Sequence, residues 1–306
     1  APASRPPLES PRPRSARSRQ SAPLDAAHPS HCRAFRQLAH FERFATIGSS
    51  SNSPDQPPRH PNEMSWSHLK VPGGEIELFE PSTPLGSAGL LFLPGHSGKT
   101  LAQSASWTAS LEQSGLRAAC PLTGNGWWLD AADPIGDRTP LEWLHHDVVT
   151  ELRSKWDTGP TGLAVAGVSL GGEAALGLAY RHSRDYPVVA AVAPTIDFHK
   201  LHGLGLPLDD WYESAEEARQ QTVPLHLNPL AWPTHQLLAC DTDDRDWYEG
   251  VERLAGKLAS SGIPRTTAFE SHRLGHCWDY FDTTADPVLA FITERLEQIR
   301  RTLFAG

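Results

Sequence analysis

From residue 89 onward, short apolar runs alternate with longer stretches of helical periodicity, and this alternation limits the fold more than any other feature. The runs fall at 89–93, 117–120, 162–166, 188–192, 235–240 and 266–269. Each suits a strand and is too short for a buried helix. Between them, helical patterns cover roughly 100–114, 141–156, 169–182, 247–261 and 286–302. Strands apolar on both faces and separated by helices give a mostly parallel sheet covered on both sides, an α/β architecture. Residues 75–79 read as an edge strand. Residues 195–232 break the rhythm with paired Gly and Pro and a polar helix near 213–221, and read as an insertion over the carboxyl edge of the sheet.

Residues 1–63 have a different texture, with 11 of the 27 prolines, nine Arg and no Lys. Such a segment cannot bury enough apolar surface to offset the entropy of ordering, and the expectation is disorder. Met64, the only methionine, opens the globular texture of 64–306. An internal start at Met64 and an organellar transit peptide are both open readings of what precedes it, and a basic arm for nucleic acid ranks below them. The net charge of −9 disfavours nucleic acid and anionic membrane as partners. A small-molecule partner fits better, with homo-oligomerisation left open. No run approaches the roughly 18 apolar residues of a membrane span. The four cysteines, Cys32, Cys120, Cys240 and Cys277, form no C-x-x-C pair, and the expectation is a reducing, cytoplasmic setting.

The chemistry centres on Gly167-Val168-Ser169-Leu170-Gly171, a G-x-S-x-G pattern placed between an apolar strand and an Ala/Leu-rich helix. A serine in a tight strand-to-helix turn needs small flanking residues, and Gly167 and Gly171 supply them. A glycine-rich packing turn is the competing reading. Ser169 needs a base, and in this fold the order is serine, acid, histidine. His276, after the last strand and before the final helix, is the candidate among 15 histidines. The acid falls in the loop Asp241-Thr242-Asp243-Asp244-Arg245-Asp246; Asp244 is preferred, with Asp243 and Asp241 next. The oxyanion donors expected are the backbone N–H groups of Leu170 and His96, the latter in Pro94-Gly95-His96-Ser97-Gly98. His199-x-x-His202 and His272-x-x-x-His276 lack a completing pattern for a metal, so no metal or cofactor is expected.

With these residues in place, the chain resembles the esterase D family, which includes the S-formylglutathione hydrolases. The resemblance rests on the elbow at 167–172, on Gly124-Asn125-Gly126-Trp127-Trp128-Leu129-Asp130-Ala131, on Asp147-Val148-Val149-Thr150-Glu151-Leu152, and on Gly275-His276-Cys277-Trp278-Asp279-Tyr280-Phe281. It implies an α/β-hydrolase fold and serine-dependent hydrolysis of short acyl esters or thioesters through an acyl-serine intermediate, without a cofactor. The family's S-G-L-T-C oxyanion loop is replaced here by 94–98, so the cysteine of the formylglutathione enzymes is absent. Trp127 and Trp128, in place of the family's Phe-Tyr pair, are candidates for the substrate pocket, with core packing as the alternative. An acyltransferase using the same triad and a non-catalytic binding protein are the competing functions.

Overall fold

The computed structural model describes residues 66–122 and 126–304. The expected disorder of 1–63 and the start at Met64 lie outside these residues. Eight strands form one sheet: β1 (Trp66–Val71), β2 (Gly74–Phe79), β3 (Gly89–Leu93), β4 (Arg117–Leu122), β5 (Leu163–Val168), β6 (Val188–Val192), β7 (His235–Asp241) and β8 (Thr266–Glu270). Their order is β1-β2-β4-β3-β5-β6-β7-β8. The pairs β1/β2 and β2/β4 are antiparallel and all others parallel. This is the mostly parallel sheet that the alternating runs imply.

Residues 75–79 are not an edge strand. β2 is paired on both sides, and the edge is β1, joined to it by a hairpin turn at Pro72 and Gly73. β1 is largely exposed, so it lacks the continuous apolar run that marks a strand buried on both faces. β3, β5 and β6 are buried throughout.

The helices are α1 (Ala105–Ser114), α2 (Pro140–Trp143), α3 (Val149–Trp156), α4 (Leu170–Arg181), α5 (Leu208–Trp211), α6 (Ala215–Gln220), α7 (Tyr248–Ser260), α8 (Trp278–Thr283) and α9 (Ala285–Phe304). A π turn, Leu144–Val148, links α2 to α3, so the helix expected at 141–156 is continuous but locally widened. Two tryptophans pin it to the sheet. The Trp143 indole donates to the Pro72 carbonyl at 2.6 Å. Trp156 lies on Gly89, where a Cβ would come within 2.4 Å of the ring. Glycine at 89 is therefore a packing requirement.

The main core lies between the sheet and its flanking helices. A second core gathers Phe198, Leu201, Leu206, Leu208, Tyr212 and Ala218 of the insertion against Trp127, Leu170 and Trp247. Leu170 directly follows β5's turn and Trp247 follows β7's loop, so the insertion roofs the carboxyl edge of the sheet, as expected. The roof is tied down by charge as well. Asp197, 6% exposed, pairs across to Arg253 of α7 and, within the insertion, with Lys200 at 3.0 Å. Burial would raise its pKa, and these two cations lower it instead.

Candidate active site

The turn between β5 and α4 forces Ser169 into φ 56°, ψ −125°. A non-glycine residue at positive φ costs on the order of 1–3 kcal/mol, and such strain persists only where the surroundings over-determine it. Here they do. The Ser169 N–H donates to the Val192 carbonyl at 3.0 Å, and the Ser169 carbonyl accepts from Thr195 at 3.2 Å. The two flanking glycines meet with no room to spare, since a Cβ on Gly167 would lie 2.2 Å from the Gly171 oxygen. One on Gly171 would lie 2.0 Å from the Leu93 oxygen. The G-x-S-x-G spacing thus lets β5, α4 and the end of β3 converge beneath one hydroxyl.

Ser169 Oγ lies 2.9 Å from His276 Nε2, and His276 Nδ1 lies 2.8 Å from Asp244 Oδ2. The three residues come from the carboxyl ends of β5, β8 and β7. Asp244 is 2% exposed, and its other oxygen accepts from the N–H groups of Asp246 and Trp247 at 3.2 and 3.1 Å, at the start of α7. These bonds fix the carboxylate in its loop. The His276 ring meets Phe281 edge-on at 5.3 Å and has Trp247 at 6.2 Å, so apolar walls shield the Asp–His pair.

The other two acids considered for this role act elsewhere. Asp241 is fully buried and accepts from the backbone N–H groups of Asp243, His272, Leu274 and Gly275, at 2.8–3.0 Å. Burial would raise its pKa, but the four donors overcome this and lower it to about 2. It is the anchor of the loop that carries His276. Asp243 accepts from the Ser271 hydroxyl at 2.5 Å. His272 turns its ring toward Tyr280, and His202 is engaged by the Tyr212 carbonyl at 3.0 Å. Among the described residues, neither His199-x-x-His202 nor His272-x-x-x-His276 is gathered into a ligand set.

The loop after β3 reaches Ser169. A Cβ on Gly95 would be 3.0 Å from Ser169 Cβ, so only glycine lets the backbone leading to His96 come this close. The segment 126–128 supports that loop from behind. Gly126, at φ 59°, packs on the Gly95 carbonyl and His96 Cα, and the Trp128 indole donates to the Pro94 carbonyl at 2.8 Å. Trp127 meets the His96 ring edge-on at 5.3 Å and Trp211 at 5.6 Å. Both Trp127 and Trp128 are 2% exposed. Trp128 belongs to the main core and Trp127 to the second core beneath the roof.

One buried acid had no signal in the pattern of residues. Glu173, 4% exposed, sits one turn into α4, and Oε1 accepts from the Val223 N–H of the roof at 2.9 Å. Burial pushes its pKa well above the usual carboxylate range, and the Val223 bond offsets only part of that. A glutamate in an Ala-rich helix reads as solvated until the partner fifty residues away is known.

The family model described as "Putative esterase" matches residues 123–268, the stretch from the Gly-Asn-Gly-Trp-Trp segment through β8. No curated protein matches by sequence. Among solved structures, the chain is similar to an S-formylglutathione hydrolase from Agrobacterium tumefaciens at 16% identity and a TM-score of 0.59, covering 76% of this chain and 100% of that one. It is similar to the fluorophosphonate-binding serine hydrolase F of Staphylococcus aureus at 13% identity and a TM-score of 0.60, covering 75% and 97%. A ferulic acid esterase is similar at 16% identity and a TM-score of 0.58, covering 72% and 92%. These likenesses bear out the α/β-hydrolase fold, and the family match bears out the resemblance to the esterases.

Proposed function

We propose that this chain, esterase-like in family match and in fold, is a serine carboxylesterase acting on short acyl esters or thioesters. The observation that carries the reading is the unbroken hydrogen-bonded series Ser169–His276–Asp244, at 2.9 and 2.8 Å, with the serine on a strained elbow. His276 Nε2 takes the hydroxyl proton as Ser169 Oγ bonds to the substrate carbonyl carbon. Asp244 holds the imidazole tautomer and stabilises the imidazolium. As the tetrahedral intermediate collapses, the alcohol or thiol departs with that proton and leaves the acyl-serine. Water, deprotonated by the same histidine, then releases the acid and restores the serine.

The backbone N–H groups of Leu170 and His96 are the proposed oxyanion donors. Leu170 opens α4, where the first N–H groups have no intrahelical partner. The contact of Gly95 with Ser169 supports His96 in the second position. Trp127, beside His96 and under Trp211, is the proposed wall of the acyl subsite, and Trp128 backs that wall through Pro94. A roof packed directly on Leu170 favours a short acyl group over a long one. No described helix is long and apolar enough to cross a membrane. The free, buried thiols of Cys120 and Cys240 support a cytoplasmic setting.

The test is hydrolysis of a short-chain chromogenic ester by the full chain, with and without a chelator, beside Ser169→Ala. A serine esterase loses on the order of a thousandfold or more in kcat on that substitution and ignores the chelator. Equal rates for parent and variant would overturn the reading. A product ester formed with a competing alcohol would instead identify acyl transfer.

A further inference from the structure

His145, from the π turn, stacks face to face on His182, which follows the last residue of α4. The ring centroids are 3.6 Å apart and the planes differ by 11°. Asp185 completes the group: one donor atom from each of the three residues lies within 4.8 Å of the others. All three are partly exposed, so the cluster opens to solvent. We propose that His145, His182 and Asp185 form a binding site for a divalent transition-metal ion, with zinc the best match to two imidazoles and a carboxylate.

The supports around these side chains are those of a built site. The Tyr186 hydroxyl, on a fully buried residue, lies 2.9 Å from His145 Nδ1. That contact occupies one ring nitrogen and leaves Nε2 as the ligand atom, the division of labour typical of metal-bound histidine. Arg153 holds Asp185 Oδ1 at 3.2 Å and leaves Oδ2 for an ion. The turn itself is clasped, with the N–H groups of Asp185 and Tyr186 both donating to the His182 carbonyl at 2.9 and 3.1 Å. His182 and Asp185 are therefore pre-set on one short turn, and His145 meets them from the π turn at 144–148. Single π turns are concentrated at functional sites. Zinc bound at about 2.0–2.2 Å lies in the plane of each imidazole that ligates it, so His145 and His182 must turn out of their parallel stack to share the ion, and water fills the fourth position.

The site stands at the far end of α4 from Ser169. A 12-residue helix spans about 18 Å, so the ion takes no part in ester hydrolysis. It would cross-link the π turn to the end of the helix that carries the nucleophile at its start. Its effect is on stability, by mass action on the folded state.

The experiment is calorimetric titration of chelator-stripped full chain with zinc chloride, with thermal melting at zero and one equivalent. One saturable equivalent is expected, with a higher Tm and ester hydrolysis within twofold of the metal-free rate. His182→Gln and Asp185→Asn, both at partly exposed positions, should each weaken binding tenfold or more, and His145→Gln should do the same if its melting curve shows a folded protein. The absence of saturable binding would overturn the proposal. So would binding that survives both His182→Gln and Asp185→Asn, or binding lost only in His276→Gln, which would move the ion to the triad.

Discussion

Asp241 and Asp244 stand three residues apart on one loop, one held by four backbone N–H groups and the other facing an imidazole. Their substitutions should separate. Asp244→Asn keeps the shape but cannot hold the required tautomer, so kcat should fall by about 10⁴ with little change in Tm. Asp241→Asn replaces a charged acceptor of four bonds and should lower Tm by several degrees, because the His276 loop loses its anchor. Equal melting temperatures for the two variants would refute the division. The sign of the pH effect follows from the lowered pKa. Asp241 contributes its stability above the unfolded value near 4, and loses it as pH falls toward about 2. Acid melting of Asp241→Asn should therefore lack part of the parent's loss in that window. Ser169, His276 and the acidic loop were legible because chemistry fixes their order along the chain. The choice among aspartates was only ranked, since it depends on N–H partners 31–34 residues away.

At the scale of elements, the elbow depends on backbone contact where no side chain fits. Gly171→Ala would place a methyl 2.0 Å from the Leu93 oxygen and 2.5 Å from that of Pro94. Backbone on both sides cannot yield without separating β3 from α4, so a loss of several kcal/mol is expected, read by denaturant melting. A stable Gly171→Ala variant with normal activity would refute the close-packed elbow. Glu173, on the same helix, gives a prediction of opposite pH sense. Its folded pKa is raised, so the stability tied to its neutral form is present below the unfolded value and is lost as pH rises through the folded one. Glu173→Gln keeps an acceptor for Val223 and carries no charge, so the variant should melt above the parent at alkaline pH and converge with it toward pH 4. A constant difference across that range would show that the carboxyl does not titrate with folding. Apolar runs locate β3 to β7 because burial on both faces writes itself into composition. The exposed β1 and the short α8 leave no such trace, and 75–79 reads as an edge because its partner β1 carries no apolar run.

Across the whole molecule, one sheet brings Ser169, His276 and Asp244 together at the carboxyl ends of three parallel strands, and the insertion closes over them with a core of its own. That roof is joined to the body by the Asp197–Arg253 pair, the Thr195–Ser169 and Glu173–Val223 bonds, the Lys257 bond to the Pro224 carbonyl, and packing on Trp127, Leu170 and Trp247. A unit with its own apolar cluster should open before the sheet does. Phe198 is fully buried at its centre. Phe198→Ala removes contacts worth about 3–5 kcal/mol in a packed core, enough to release the roof while the main core, which does not include this residue, stays closed. Amide exchange should therefore accelerate across residues 198–225 and remain slow in β3, β5 and β6. If the roof shapes the acyl subsite and the sheet holds the triad, KM for a short ester should rise by a larger factor than kcat falls. Uniform acceleration of exchange through sheet and insertion alike would show instead that the two cores open as one, and that the roof cannot act as an independent specificity element.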